Sequence, residues 1–436
     1  MNNAQKTATE LIDFIHEGAS PYHVVESITK KLHKAGFEAL KLEERWKLEP
    51  GKKYFTTKNG SSVYAFITGT KAPSRSGTHL ICAHSDSPSF KIKPSPEIIE
   101  DGYYIKFNTE VYGGPILMSW LDRPLSMAGR VIIESNNTLH PETRLVNFNR
   151  PILTIPNLAI HLNRSVNEGV ELNKQKDMLP LCGIIGDKQR KGYFKDLLSR
   201  EAGVEAEKII DFDITLNEFH RGCLLGPDSE FISSPKLDDL AMVHAGLKAL
   251  LDAQPTEATN FLCIFDNEEV GSQTKQGAGS PVFKNIFERV LKQLGEDDEG
   301  IQQAQHKSFM ISADMAHSVH PNHPDKHDPV LHPLMNKGPV IKIHANQKYT
   351  TDGDSGAVFE SICRLAGIPC QKFVNRSDMV GGSTLGNVLT TQMDIRSVDV
   401  GNAMLAMHSV RELAGVQDHE FIIRVFKKFF AIETRS

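Results

Sequence analysis

Two textures of apolar and polar positions alternate along the chain. From the start to about Phe90, and again after Pro235, short apolar runs are interleaved with stretches of helical period. The opening "NNAQKTATELIDFIHEGAS" sets Leu11, Phe14 and Ile15 on one side of an amphipathic helix. "THLICAHSDSP" reads as a strand running into a polar end at His84, Ser85 and Asp86. "DDLAMVHAGLKALLDA" places Leu240, Val243, Leu247 and Leu251 on one helical face, with Asp238-Asp239 at its opening. Strands are predicted in "FLCIF", "SFMISAD" and "PVIKIHA", a helix from about Gly356, and a strand in "QKFVN". A last helix is predicted in "GNAMLAMHSVRELAG", which would carry His408. Between Phe90 and about Phe231 the pattern changes. "YYIKFNTEVYGGPILMSWLDRPLSMAGRVIIES" has short β-type runs broken by Gly113-Gly114-Pro115, Pro124 and Gly129. The economical arrangement is one α/β domain, residues 1–90 and 234–436, interrupted by a β-rich insertion, residues 91–233.

Composition narrows the class. A chain of 436 residues exceeds one ordinary core. Apolar content of 40% and charged content of 24% are those of a globular protein. With a net charge of −5 and no basic run interleaved with aromatics, nothing favours a nucleic-acid partner. No apolar stretch reaches the length of a membrane span. The first residues carry Glu10, Asp13 and Glu17 and no signal-peptide core. The six cysteines (Cys82, Cys182, Cys223, Cys263, Cys363, Cys370) form no CxxC pair and read as free thiols. A cytoplasmic location is the expectation.

The chemistry sits where the apolar runs end. His84 and Asp86 follow "HLICA", Glu268 and Glu269 follow "FLCIF", and Asp314 follows "FMISA". In open α/β sheets the carboxyl ends of strands bind ligands, so these residues can converge although distant in sequence. Asp266, Glu268 and Glu269 crowd one turn and repel unless a cation sits among them. With Asp238 and His408 the set offers mixed nitrogen and oxygen donors, which suit zinc, manganese or cobalt. Each residue also has a structural reading: a surface turn for His84-x-Asp86, a helix cap for Asp238 or Asp239, a strand turn for Asp314, a core histidine for His408. The adjacent glutamates resist that reading best, since neighbouring side chains point apart and one can bind metal while the other acts on water. "HSVHPNHPDKHDPVLHP" (His317, His320, His323, His327, His332) matches no zinc-finger spacing and reads as a Pro-rich loop; His317, three residues beyond Asp314, is the member expected to face the site. No HExxH, GxSxG, P-loop or GxGxxG is present.

Taken together, "SPYHVV", "AHSDSPSFKIKP", "YGGP", "WLDRPLSMAGRV", "NLAIHLNR", "SPKLDDL", "FDNEEVGS", "ISADMAHSVHPN", "GPVIK", "GGSTLG" and "LAMHSVRE" resemble the aspartyl aminopeptidases, in a bacterial-type form, from about Ser20 to Glu412. The resemblance implies a three-layer catalytic domain with a mixed sheet and an inserted β-rich dimerisation domain. It implies two divalent ions, zinc above all, and a tetrahedral dodecamer built from dimers that acts on peptides. By position, His84 and Asp314 match the ligands of one metal, Glu269 and His408 those of the other, and Asp238 the bridge. Glu268 matches the general base and Asp86 the partner that steadies His84. Tyr349 and His317 look like groups near the scissile carbonyl, Lys342 like the residue meeting an acidic substrate side chain. His161 resembles a histidine that reaches a neighbouring subunit's active site. The insertion is expected to serve assembly rather than chemistry. Asp266 has no role beyond the turn or the surroundings of the ligands. Gly381 and Asn387 depart from the cysteine and proline common in relatives, which bears on substrate choice. Rival readings are an aminopeptidase of broader or neutral preference, another two-metal hydrolase, and a non-catalytic assembly protein.

Overall fold

The structure, a computed structural model, describes residues 1–185 and 192–433. Strands Thr78–His84 and Thr259–Phe265 run parallel, side by side, inside a nine-stranded mixed sheet. The strand order is Glu38–Ala39, Lys53–Lys58, Ser62–Ile67, Thr259–Phe265, Thr78–His84, Phe309–Ala313, Arg396–Gly401, Val340–Ile343, Gln371–Val374. The period of two sends Leu80, Cys82, Phe261 and Cys263 to one face and Ile81, Ala83, Leu262 and Ile264 to the other. Both faces are covered. Helices Val282–Gln293, Asp298–Lys307 and Leu385–Thr390 pack on the first. Asn3–Glu17, Pro21–Lys34, Leu237–Asp252, Gly353–Ala366 and Val416–Phe430 pack on the second. Burial on two faces explains why these strands read as continuous apolar runs. Leu11, Phe14 and Ile15 are buried, as the amphipathic opening requires.

A six-stranded antiparallel sheet is drawn wholly from residues 89–218: Glu142–Asn147, Leu125–Ile133, Ile209–Glu218, Ser89–Glu100, Tyr104–Tyr112 and Leu181–Ile184. Phe90, Phe107, Trp120 and Ile214 form its core, closed by Phe194 and Leu198 of the Tyr193–Ala202 helix.

One predicted element is different. "GNAMLAMHSVRELAG" is not a helix: it forms strand Ala403–Leu405, a turn, and strand Glu412–Gly415, joined to helix Val416–Phe430. Both strands belong to a five-stranded sheet with Cys223–Leu225, Phe231–Ser234 and Ala316–His317. Its alanines, leucines and methionines favour a helix, but tertiary pairing prevails. Glu412–Gly415 hydrogen-bonds to Phe231–Ser234 on one side and meets Ala403–Leu405 on the other. Ala406 and His408 take left-handed conformations, φ 56° and 67°, which no helix accommodates.

Candidate metal centre

Parallel strands put their carboxyl ends on one edge. Phe265 pairs with His84, and strand Phe309–Ala313 lies on the other side of Thr78–His84. His84, the turn after Phe265 and Asp314 therefore meet at that edge. Asp238 and Asp239 open helix Leu237–Asp252 with non-helical backbone and are joined by a cis peptide. His408 arrives on the turn of the small sheet. Three groups result whose donor atoms lie within 4.8 Å of one another: His84, Asp238, Asp239 and Asp314; His84, Glu268 and Glu269; Asp238, Glu269 and His408.

Asp238 is the centre of the arrangement. Its Oδ1 faces His84 Nε2 at 3.6 Å, and its Oδ2 faces His408 Nε2 at 3.5 Å. His408 Nε2 is also 3.4 Å from Glu269 Oε2. The other ring nitrogen of each imidazole is held: His84 Nδ1 lies 3.1 Å from the Asp86 carbonyl, and His408 Nδ1 lies 3.1 Å from the Gly114 carbonyl. A carbonyl only accepts, so Nδ1 carries the proton and the Nε2 lone pair faces inward. Among the described residues, Asp238 Oδ1 and Glu269 Oε1 are buried acceptors with no hydrogen-bond donor. Such atoms are costly unless a cation satisfies them.

The acid–base balance says the same. Burial, reinforced by the charges of Asp314, Asp86 and Asp238, pushes Glu268 up to about 8. Burial and the neighbouring Asp238 and Asp399 charges push Asp314 up to about 6 against the pull of Lys342. Glu269 and Asp239 are driven well above the usual carboxylate range, first by burial and then by carboxylates beside them: Asp238 for both, with Asp86 and Glu268 for Glu269 and Asp314 for Asp239. Burial also pushes at Asp238, but the imidazoles of His408 and His84 outweigh it and hold it below that range. Carboxylates crowded in this way gain from a divalent ion, and the donor set of two histidines and several carboxylates fits one.

The remaining predicted residues fall as follows. Asp86 Oδ1 lies 3.3 Å from His84 Nδ1, and its carboxylate accepts the Glu268 and Glu269 N–H groups, each at 3.1 Å. His317, Lys342 and Tyr349 line, with Asp238, Glu268, Asp314 and His408, a cavity of about 410 Å³. Lys342 is buried and already engaged: its ammonium is 3.3 Å from Asp314 Oδ2 and donates to the Met315 carbonyl. Asp266 is buried and belongs to none of the three metal-capable groups; its Oδ1 accepts the Asn267 N–H, and it lines a separate small cavity with Lys236 and Tyr112. His161 is exposed and does not line the cavity. His320, His323, His327 and His332 join no metal-capable group among the described residues. Gly381 lines an adjoining cavity of about 290 Å³ that shares His317, Phe373 and Gly382 with the first.

Three residues of the centre had no role in the sequence reading. Asp239 is buried and accepts the His84 N–H at 3.1 Å. Glu412 accepts the Asp238 N–H at 3.1 Å and the His408 N–H at 2.7 Å, tying two residues distant in sequence to one carboxylate. Tyr112, at the end of strand Tyr104–Tyr112 of the six-stranded sheet, donates its hydroxyl to Asp86 Oδ2 at 2.6 Å. Glu412 sits inside "LAMHSVRE" and Tyr112 inside "YGGP", so the signal was their place in those motifs.

The comparisons agree with the fold and with a metal-binding protein. Residues 14–430 match the family described as aminopeptidase I zinc metalloprotease, M18. The probable M18 family aminopeptidase 2 of Clostridium acetobutylicum is 52% identical over 431 residues, 99% of this chain and 100% of that one. Its namesake in Pseudomonas aeruginosa is 40% identical over 97% of both chains. Among solved structures, prApe1 superposes with a TM-score of 0.92 at 28% identity, over 98% of this chain and 94% of that one. The S. cerevisiae mApe1 dodecamer gives 0.85 at 27%, over 98% and 97%. The chain belongs to the M18 family of aminopeptidases. It is a zinc-dependent aminopeptidase, a hydrolase of the exopeptidase class.

Proposed function

We propose that the cavity releases N-terminal residues, acidic ones by preference, from peptides, using two divalent ions. His84 and Asp314 would hold one, Glu269 and His408 the other, and Asp238 both. The observation that carries this is Asp238, which turns one carboxylate oxygen to each imidazole. Zinc is the natural occupant in this family; manganese and cobalt suit the same donors. Bound there, two such ions acidify water and polarise a carbonyl. Asp86 keeps the His84 ring oriented and anchors the Glu268 and Glu269 backbone. Glu268 takes the proton from the attacking water and hands it to the leaving amine. Tyr349 and His317 are the cavity's donors for the developing oxyanion. The carboxylate-rich floor receives a free amino terminus, which makes the enzyme an exopeptidase. Lys342, with three N–H groups, would meet an aspartyl or glutamyl side chain.

A broader preference is favoured by one observation: Lys342 already pairs with Asp314, so its charge is partly satisfied before substrate binds. We also propose that the chain forms a dodecamer, as the mApe1 relative does, here built from dimers with His161 crossing an interface. Leu158, Ile160 and Leu162 flank it and are 56%, 48% and 75% exposed, an apolar row that a partner subunit would cover. The free cysteines suit a cytoplasmic enzyme. The deciding experiment is hydrolysis of Asp-, Glu- and Leu-linked chromogenic substrates by metal-stripped protein with zinc, manganese or cobalt restored. Preference for the acidic substrates supports the reading; equal or better Leu cleavage replaces it with the broader one. Glu268→Gln is expected to retain the metal and lose turnover by about 10²–10⁴-fold. Near-normal turnover would remove Glu268 from the role of base.

A further inference from the structure

The two halves of the centre are built differently, and the difference involves the insertion. Its segment Tyr112–Ser119 runs along the Glu269–His408 side. Gly113 has φ +72°, and a Cβ there would come within 3.1 Å of Glu269 Cβ. The Gly114 carbonyl faces His408 Nδ1. The Ile116 N–H donates to the His408 carbonyl at 2.9 Å, and Val410 N–H donates to Ser119 Oγ at 2.9 Å. The turn that presents His408 is therefore gripped at the histidine and two residues after it by the insertion. On the other side the holding groups are local to the large sheet and its helix. His84 leans on Asp86 and donates its N–H to Asp239, and Asp314 faces Lys342. Tyr112 touches both sides, through Asp86.

A ligating imidazole needs its second nitrogen held, or the ring turns and the lone pair leaves the ion. For His84 the acceptor lies two residues on in the same segment. For His408 it lies 294 residues away, in the insertion. We propose that residues 113–119 are a positioning element for one ion position only, that of Asp238, Glu269 and His408. The position of His84, Asp238 and Asp314 is complete without them. The insertion is thus part of the metal centre, beyond any role in assembly. This rests on the two-ion reading above.

Zinc titration of chelator-stripped full-length protein, followed calorimetrically and checked by elemental analysis, tests it. Wild type should take up two equivalents; uptake of one removes the two-ion reading itself. Given two, Gly113→Ala should keep one equivalent at wild-type affinity and weaken the other about 10–100-fold, the usual effect of disturbing groups that orient ligands. Ser119→Ala, which removes the acceptor of the Val410 N–H and an exposed hydroxyl bond to the Ile116 carbonyl, should weaken the same equivalent by a smaller factor with the apo melting temperature little changed. Should Gly113→Ala not fold, Ser119→Ala decides alone. Equal weakening of both equivalents, or two wild-type equivalents in the folded variants, overturns the proposal and leaves the two-ion reading standing.

Discussion

Two imidazoles serve one centre in contrasting surroundings. His84 ends a strand in the middle of the large sheet, and its side chain is 1% exposed. His408 sits at a left-handed position on a turn, and its side chain is 32% exposed. The first is placed by the sheet and by packing on both its faces. The second is placed by hydrogen bonds converging on its turn: Glu412 on its N–H, Ile116 on its carbonyl, Gly114 on its ring. Rigidity by packing is bought once with the fold, whereas rigidity by a network depends on each partner.

The largest effect is expected where the two sides join. Asp238→Asn should lose both ions, measured by elemental analysis after gel filtration, and activity with them; retention of two would end its bridging role. The next effect separates the sides. His84→Ala opens a buried space and removes the imidazole that faces the buried Asp86 and Asp238 carboxylates, so it should cost about 2–4 kcal/mol of apo stability in denaturant titration. His408→Ala, at a part-exposed turn, should cost under about 1 kcal/mol while still losing an ion. Equal costs would show that the contrast between sheet and turn has no energetic content.

Legibility from sequence followed the same division. His84, Glu268, Glu269 and Asp314 were readable because each follows an apolar run, and the parallel sheet then gathers run ends along one edge. The both-faces-buried strands announced themselves by lacking alternation. His408 joined the donor set as a helix residue with no strand end to place it, and its predicted helix was wrong, because no local pattern encodes pairing between Glu412–Gly415 and Phe231–Ser234. Asp239 read as a helix cap and Glu412 drew no reading of its own; their burial is a property of the assembled centre. The insertion's part was invisible for the same reason. Gly113-Gly114 reads as a turn, and only the fold brings that turn against Glu269 and His408.

A smaller effect probes the network directly. Glu412 accepts two N–H groups with two oxygens, and burial with the nearby Asp238 charge pushes it up to about 8. Glu412→Gln keeps the size but offers one acceptor oxygen. One backbone N–H is then left buried without its partner, at about 1–3 kcal/mol. Zinc affinity should fall more on the His408 side than on the His84 side; an unchanged titration would make Glu412 a bystander.

At neutral pH the smallest effect belongs to the sheet side and emerges only in acid. His79 lies at the other end of the strand that carries His84. It is buried against Phe429, its ring centroid 4.9 Å away, with Nδ1 3.0 Å from Asn260 Oδ1. Burial lowers it from 6.5 to about 4, against the pull of Asn260. A base whose folded pKa is depressed binds its proton more readily when unfolded. Its contribution is whole above about pH 6.5 and is lost as the pH falls towards 4. By linkage that loss approaches about 3 kcal/mol across the window. Buried His23 and His419, lowered by burial to about 4 and about 3, act in the same direction. His79→Gln should flatten the dependence of unfolding free energy on pH between 6.5 and 4.5 by about one proton while changing little at pH 7.5. An unaltered slope would mean that His79 finds water in the folded protein, and that this end of the sheet is less tightly closed than the end that holds His84.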